Sequence, residues 1–370
     1  MKITKIGEPE IIMQNPDSRH NYFAWSTAAR LQNGKIAVVA SGYRLFHVCP
    51  FGKTVISYSE DDGKTYTIPA PVMDTPLDDR DGGILPFGKT GVIVTSFNNA
   101  VKSQRRWAEG WAKRNGYKEY IDAYLDTVTP ETEEKYLGST FRISNDCGVT
   151  FGPIYKCPIS SPHGPCELPD GTILWVGRTF TDDGGANGGK EKVQAYKINL
   201  DGTSEFVGEI EPIYINGELM CSEEPHAIAL KDGTVICHIR VEDEKSPKTA
   251  FTVFQSVSKD GGKTWTKPEM LLEMHGGAPA HIMQHSSGAL ISVYGDREKP
   301  YGIKAMISLD NGKTWDTNHD IYINGISVDI GYPSTVELAD GSLTTVFYAH
   351  PANYDVSGTV IMQQKWSFEA

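Results

Sequence analysis

No stretch of this sequence is long and apolar enough to cross a bilayer. The first residues, "MKITKIGEPEIIMQNPDS", carry no apolar core behind their charges, so neither a membrane span nor a leader is expected, and a cytoplasmic setting is. Positive charge is also short: 35 Lys and Arg against 47 Asp and Glu leave a net charge of -12. Such a surface repels a phosphate backbone and an anionic lipid headgroup, so nucleic acid and membranes are not expected partners. The six cysteines show no C-x-x-C pair and no metal-finger spacing, and they read as reduced, mostly buried thiols. At 370 residues the chain is large for one core, yet ordinary for a closed all-β architecture, so a single domain over 1–370 is expected.

What the chain has in plenty is one repeated turn. "SEDDGKTYT" at Ser59, "SNDCGVTFG" at Ser144, "SKDGGKTWT" at Ser258 and "SLDNGKTWD" at Ser308 share S-x-D-x-G-x-T followed by an aromatic. The Asp accepts backbone N–H groups inside the loop and the Gly takes positive φ, so the motif builds a hairpin and does no chemistry. A second repeat is interleaved: an apolar strand, a turn ending in Gly34, Gly88, Gly171, Gly233, Gly288 or Gly341, and another apolar strand. Six units at a period of about 50 to 60 residues predict a six-bladed β-propeller of four-stranded antiparallel blades. The apolar hairpins form the inner strands and the Asp turns join the outer two. "KITKIGEPEIIM" is placed to supply the outer strand of the last blade. Residues 97–137 break the pattern with helical spacing at Tyr117, Tyr120, Ile121, Tyr124 and Leu125. This helical insertion in blade two is read as a lid over the site, or else as a contact between copies.

Asp turns on a six-unit propeller resemble the sialidase (neuraminidase) superfamily across nearly the whole chain. "EEPHAIALKDGTVICHIR" places Glu224 nine residues before Gly233 and Arg240 seven after it, and "GYPSTVELADG" places Tyr332 nine before Gly341. The resemblance implies that Tyr332 is the nucleophile, Glu224 its proton acceptor and Arg240 a substrate arginine. Two positions depart from the family. Ala24 in "FAWS" stands where the first arginine of a carboxylate clamp belongs, and His47 in "YRLFHVCPFGKTVISYS" stands at the acid/base aspartate. A histidine can fill that role near neutral pH. For the third arginine, "YGDREKPYGIKAMISLDNG" offers Arg297 and Lys304.

Residues at the start of an inner propeller strand converge near the axis, a level that can be read without any family. Here it holds Trp25, the run Asp79-Arg80-Asp81, His163, Glu224 with His226, His281 and Tyr332, a polar set that suits a ligand site. Arg44, Arg80 and Arg178 are candidates for the missing clamp arm, and Trp25 for a stacking platform. The leading expectation is an exo-acting, retaining glycoside hydrolase for a terminal acidic sugar, needing no cofactor or metal. Behind it stand a carbohydrate-binding propeller without turnover, a propeller glycosidase or lyase on another sugar with His as acid/base, and a metal-dependent enzyme using Asp81, His226 and His281.

Overall fold

A computed structural model of the chain describes residues 1–180, 192–243, 250–273, 277, 279–351 and 358–369. Six antiparallel blade sheets succeed one another along the chain, with a two-stranded ribbon of Tyr214–Ile215 and Glu218–Leu219 between blades three and four. Blade one is Tyr22–Arg30, Ile36–Arg44, Lys53–Ser59 and Ala70–Met73; blade two is Arg80–Phe87, Gly91–Asn98, Gly138–Ser144 and Tyr155–Cys157. In blade three the inner edge is split into Ile159–Ser160 and Cys166–Glu167, both paired to Ile173–Thr179. The inner strands of blades four, five and six are Cys221–Ala229, Ala280–Gln284 and Gly331–Glu337. The ring closes with the first strand: Lys2–Met13 runs antiparallel to Val360–Glu369, with Lys2 opposite Glu369. Two ends of the chain thus share blade six, so opening the ring would require breaking a ladder rather than a loop.

Apolar residues point alternately to the two faces of each blade and meet those of the next. Val38, Phe23 and Val336 pack at the joint of blades six and one, Val39, Ile84 and Val94 at that of one and two, and Val293, Ile303 and Phe347 at that of five and six. Burial between blades is what holds a propeller together, since no single blade can cover both of its faces.

The Asp turns lie at the ends of the third strands. Ser59 pairs with Ile36, the start of the second strand, whereas Arg44 at its other end pairs with Tyr22, the start of the inner strand. The turns therefore occupy the face opposite the strand starts. In the turn at Asp260, the carboxylate accepts Thr264 N–H at 2.9 Å and Thr264 Oγ1 at 2.6 Å, and Ser258 Oγ accepts Gly262 N–H at 2.9 Å. Gly262 sits at φ +90°, which a side chain would strain.

Four helices, Val101–Ala108, Trp111–Arg114, Lys118–Leu125 and Pro130–Tyr136, fill the gap in blade two. Their two ends are tied by one residue: Asn98 donates to the Tyr136 carbonyl at 2.9 Å and accepts Gly138 N–H at 3.0 Å. Their apolar face does not stand free. Ala108, Ala112, Ile121 and Leu125 pack against Leu45, Phe46 and Cys49 of the blade-one loop, with Phe46 stacked on Trp111 at 4.5 Å.

Candidate active site

The starts of four inner strands share an unusual backbone. Trp25, Asp81, Glu224 and Tyr332 adopt φ of +55°, +49°, +46° and +48°, in the left-handed region that non-glycine residues avoid. Each lies where the ladder to the second strand slips, between Ala24 and Thr27, Arg80 and Gly83, Glu223 and His226, and Gly331 and Ser334. A bulge of this kind re-aims one side chain out of the pleat. Its recurrence in blades one, two, four and six gives Trp25, Asp81, Glu224 and Tyr332 one shared level at the strand starts.

Tyr332 and Glu224 meet directly. The Tyr332 hydroxyl donates to Glu224 Oε1 at 2.5 Å, while Arg240 Nη1 donates to Glu224 Oε2 at 2.6 Å and approaches the Tyr332 oxygen at 3.5 Å. Burial alone would raise the Glu224 pKa, but Arg240 and the phenol outweigh it and hold the carboxyl below its usual range. Burial pushes the Tyr332 phenol well above its usual range, and the charges of Glu224 and Asp81 add to that. A neutral phenol hydrogen-bonded to a carboxylate is the resting state. Asp81 is the second carboxyl here; it is buried, its Oδ1 finds no hydrogen-bond partner among the described residues, and burial pushes it up to about 7 against the pull of Arg80.

His47 sits on the loop after Ile36–Arg44 with its ring 52% exposed. Its imidazole and the Tyr332 ring both pack edge-on to the Trp25 indole, at 4.9 and 6.3 Å. The loop is gripped by guanidiniums. Arg44 Nη2 and Arg80 Nη1 both donate to the His47 carbonyl, at 2.8 and 2.9 Å. Arg44 is fully buried in an ion pair with Asp78, at 2.5 Å, and a Cβ on Gly52 would collide with its Nη1.

These contacts revise several assignments. Arg44 is no clamp arm, because its charge is spent on Asp78 and on the loop backbone. Arg80 covers the Trp25 face at 4.0 Å, so Trp25, 1% exposed, is a buried wall rather than a stacking platform. Asp79 is fully buried, accepting Thr75 N–H at 2.7 Å and Thr75 Oγ1 at 2.8 Å; it organises a turn. Arg178 does face the same wall, paired with Glu223 at 3.0 Å. Arg297 stands beside the Tyr332 strand, its Nε donating to the Ile330 carbonyl at 3.2 Å. Lys304 is engaged elsewhere, with Asp296 and Asp320.

His163, His226 and His281 form a separate axial cluster with ring centroids 4.5 to 5.4 Å apart. The inner strand of each blade has an unpaired edge, and two of these rings and a serine satisfy parts of it, while His163 Nδ1 meets the Thr27 hydroxyl at 3.1 Å. His226 Nδ1 accepts Ile282 N–H of blade five at 3.1 Å, His281 Nδ1 accepts Thr335 N–H of blade six at 3.4 Å, and Ser334 Oγ accepts Ala28 N–H of blade one at 3.0 Å. Burial keeps all three imidazoles neutral, His281 down to about 3. His226 and His281 line a cavity of about 480 Å³ opening at the far ends of the strands, beside Ala28, Gln284 and Glu337. With Nδ1 used by the backbone, they are blade-to-blade fasteners rather than partners of Tyr332. Among the described residues no three His, Cys, Asp or Glu are arranged to hold a metal.

Four residues of the site were not singled out from sequence: Tyr22, Asp329, Tyr348 and Glu242. Asp329 accepts the hydroxyls of Tyr22 at 2.9 Å and Tyr348 at 3.0 Å, and Glu242 pairs with Arg240. Tyr22 and Asp329 are separated by 307 positions and meet across the joint of blades six and one, so no local pattern announces them.

Sheet order and Asp turns define a six-bladed propeller, and its fold is sialidase-like. A BNR repeat-like domain matches residues 179–345. Among solved structures, a protein of unknown function from Dyadobacter fermentans superposes with TM-score 0.76 at 20% identity, covering 99% of both chains. The NanB sialidase of Streptococcus pneumoniae gives 0.66 at 14% identity, over 96% of this chain and 70% of that one. An α-L-arabinanase of Penicillium chrysogenum gives 0.61 at 12%, over 99% and 98%. Among curated protein sequences none matches this chain. At these identities the likeness is one of fold.

Proposed function

We propose that the protein is an exo-acting, retaining glycoside hydrolase in which Tyr332 attacks the anomeric carbon, Glu224 takes its proton and His47 serves as acid and base. The observation that carries this reading is the 2.5 Å bond from the Tyr332 hydroxyl to Glu224 Oε1, with Arg240 on the other carboxylate oxygen. In the first step the Tyr332 oxygen bonds to C1 as the glycosidic C–O bond breaks. The phenol proton passes to Glu224, and the leaving oxygen takes a proton from His47. In the second step a water gives its proton back to His47 and displaces Tyr332, which recovers its own from Glu224. A phenol near an ordinary pKa of about 10 is a weak nucleophile alone, and the adjacent carboxylate is what activates it.

An acidic sugar such as sialic acid suits a neutral phenol nucleophile, since a carboxylate at the anomeric centre repels an anionic one. Arg240, 3.5 Å from the Tyr332 oxygen, and Arg297, whose charge also acts on the phenol, are the arginines for holding that sugar. A second reading, a neutral or deoxy sugar, is favoured by the charge pairing of the wall: Arg178 with Glu223, Arg240 with Glu224 and Glu242, and alanine at position 24. Aryl glycosides of sialic acid, glucuronic acid and neutral deoxy sugars, each with and without EDTA, separate these readings. Turnover with retained configuration supports the proposal; binding without turnover on every sugar makes the protein a carbohydrate-binding module instead.

A further inference from the structure

We propose that Asp329, acting through Tyr22, is the positioning residue of His47, fixing its proton on Nδ1 so that Nε2 is the atom that exchanges protons with the substrate. The inference rests on the reading of His47 as acid and base.

The argument is one of donors and acceptors. Asp329 accepts three hydroxyl contacts, from Tyr22 at 2.9 and 3.1 Å and from Tyr348 at 3.0 Å. Burial would raise its pKa, but the nearby His47 and, after it, the two tyrosine hydroxyls bring it down to about 2. It is therefore a carboxylate near neutral pH and can only accept. The single Tyr22 proton must then point at Asp329. Tyr22 Oη also lies 3.1 Å from His47 Nδ1, and with its proton committed it offers only lone pairs. His47 Nδ1 must therefore be the donor. Asp329 itself stands 3.6 Å from Nδ1, too far for a good bond but near enough to favour an imidazolium. The opposite edge of the ring carries Nε2.

Other groups act on the same ring. Desolvation by the packed side chains opposes protonation most, the Asp329 carboxylate pulls the other way, and the Arg80 and Arg44 guanidiniums side with desolvation, so the imidazole is held below its usual value. His350 Nε2 lies 4.0 Å from Asp329 on the far side. The helical insertion brings Trp111 onto Phe46, an uncharged contact that steadies the loop. The carbonyl of His47 is fixed by Arg44 and Arg80, so ring and backbone are held by separate devices. Blade six thus supplies both the nucleophile and, three residues earlier, the carboxylate that orients the acid on blade one.

The test uses the full chain labelled with ¹⁵N-histidine, with His47→Ala to assign the resonance. Wild type is expected to show the Nδ1–H tautomer. Asp329→Asn is expected to lower the His47 pKa by about one unit, the size of a nearby carboxylate's effect, while Tyr22→Phe, which keeps the charge, is expected to mix the tautomers with a smaller shift. An Nε2–H tautomer in wild type, or an unchanged His47 titration in Asp329→Asn with Tyr22→Phe also silent, overturns the proposal. Kinetics separate this failure from that of the parent reading. If His47→Ala keeps full turnover on unactivated aryl glycosides, the acid/base role itself falls. If His47→Ala is impaired and Asp329→Asn is not, only Asp329 is misassigned.

Discussion

Tyr332 and His47 are held in place by opposite means. Tyr332 rides on an inner strand, aimed by a bulge with φ +48° and packed in the joint between blades six and one. His47 rides on a loop and is aimed by side chains from elsewhere: two arginines on its carbonyl, Tyr22 on its ring, and Phe46 beside it wedged against the insertion. The strand wall is built by backbone geometry that costs strain. The loop wall is built by a network that fails piecemeal when any member is removed. The insertion belongs to the second kind, since its helices grip the loop beneath His47.

The largest expected effect falls on the strand wall. Tyr332→Phe and Glu224→Gln should each lower turnover by about a thousandfold or more, and the double variant should add little, because the two act as one unit. A steady-state comparison of the three variants checks this; additive losses would separate the pair. Next comes the loop wall. His47→Ala should cost roughly 10²- to 10⁴-fold on unactivated aryl glycosides, yet much less on dinitrophenyl ones, which leave without protonation. Equal losses on both would remove the distinction between nucleophile and acid.

How far the sequence reached follows the same division. A fixed offset of nine residues from a turn glycine located Tyr332, Glu224 and Trp25, because on a strand the count along the chain is also a height along the axis. The blade count and the closing strand were legible for the same reason. The function of the strand-end arginines was not: Arg44 and Arg80 look like clamp arms until Asp78 and the His47 carbonyl are seen beside them. His226 and His281 lie seven residues, not nine, before Gly233 and Gly288 and carry no positive φ, so they face the next blade's backbone.

A smaller effect sharpens the comparison further. Phe46→Ala removes the stack on Trp111 and should cost about 3 kcal/mol of stability, with roughly a tenfold loss on unactivated substrates and little on activated ones. Melting curves and the two substrate classes read this together. A loss equal on both classes would mean that the insertion supports the strand wall as well.

Acid stability should feel the loop wall too. The folded pKa of Asp329, about 2, lies below its unfolded value near ~3.9. Its contribution is therefore complete above about pH 4 and is lost as the pH falls toward 2. Asp329→Asn should flatten that part of the acid-unfolding curve. The smallest effect belongs to the far face. Asp260→Asn loosens one exposed turn, so the melting temperature should fall slightly while turnover stays at the wild-type level. A change in rate there would contradict the assignment of the Asp turns to structure.

The most direct measurement is to trap the intermediate. A fluorinated analogue of whichever aryl glycoside is turned over, which slows the second step, should leave a sugar bonded to the chain after denaturation. Peptide mass analysis is expected to find it on Tyr332, and to find none in Tyr332→Phe. A label on Glu224, on His47 or on no residue at all while turnover proceeds with retention would contradict the account.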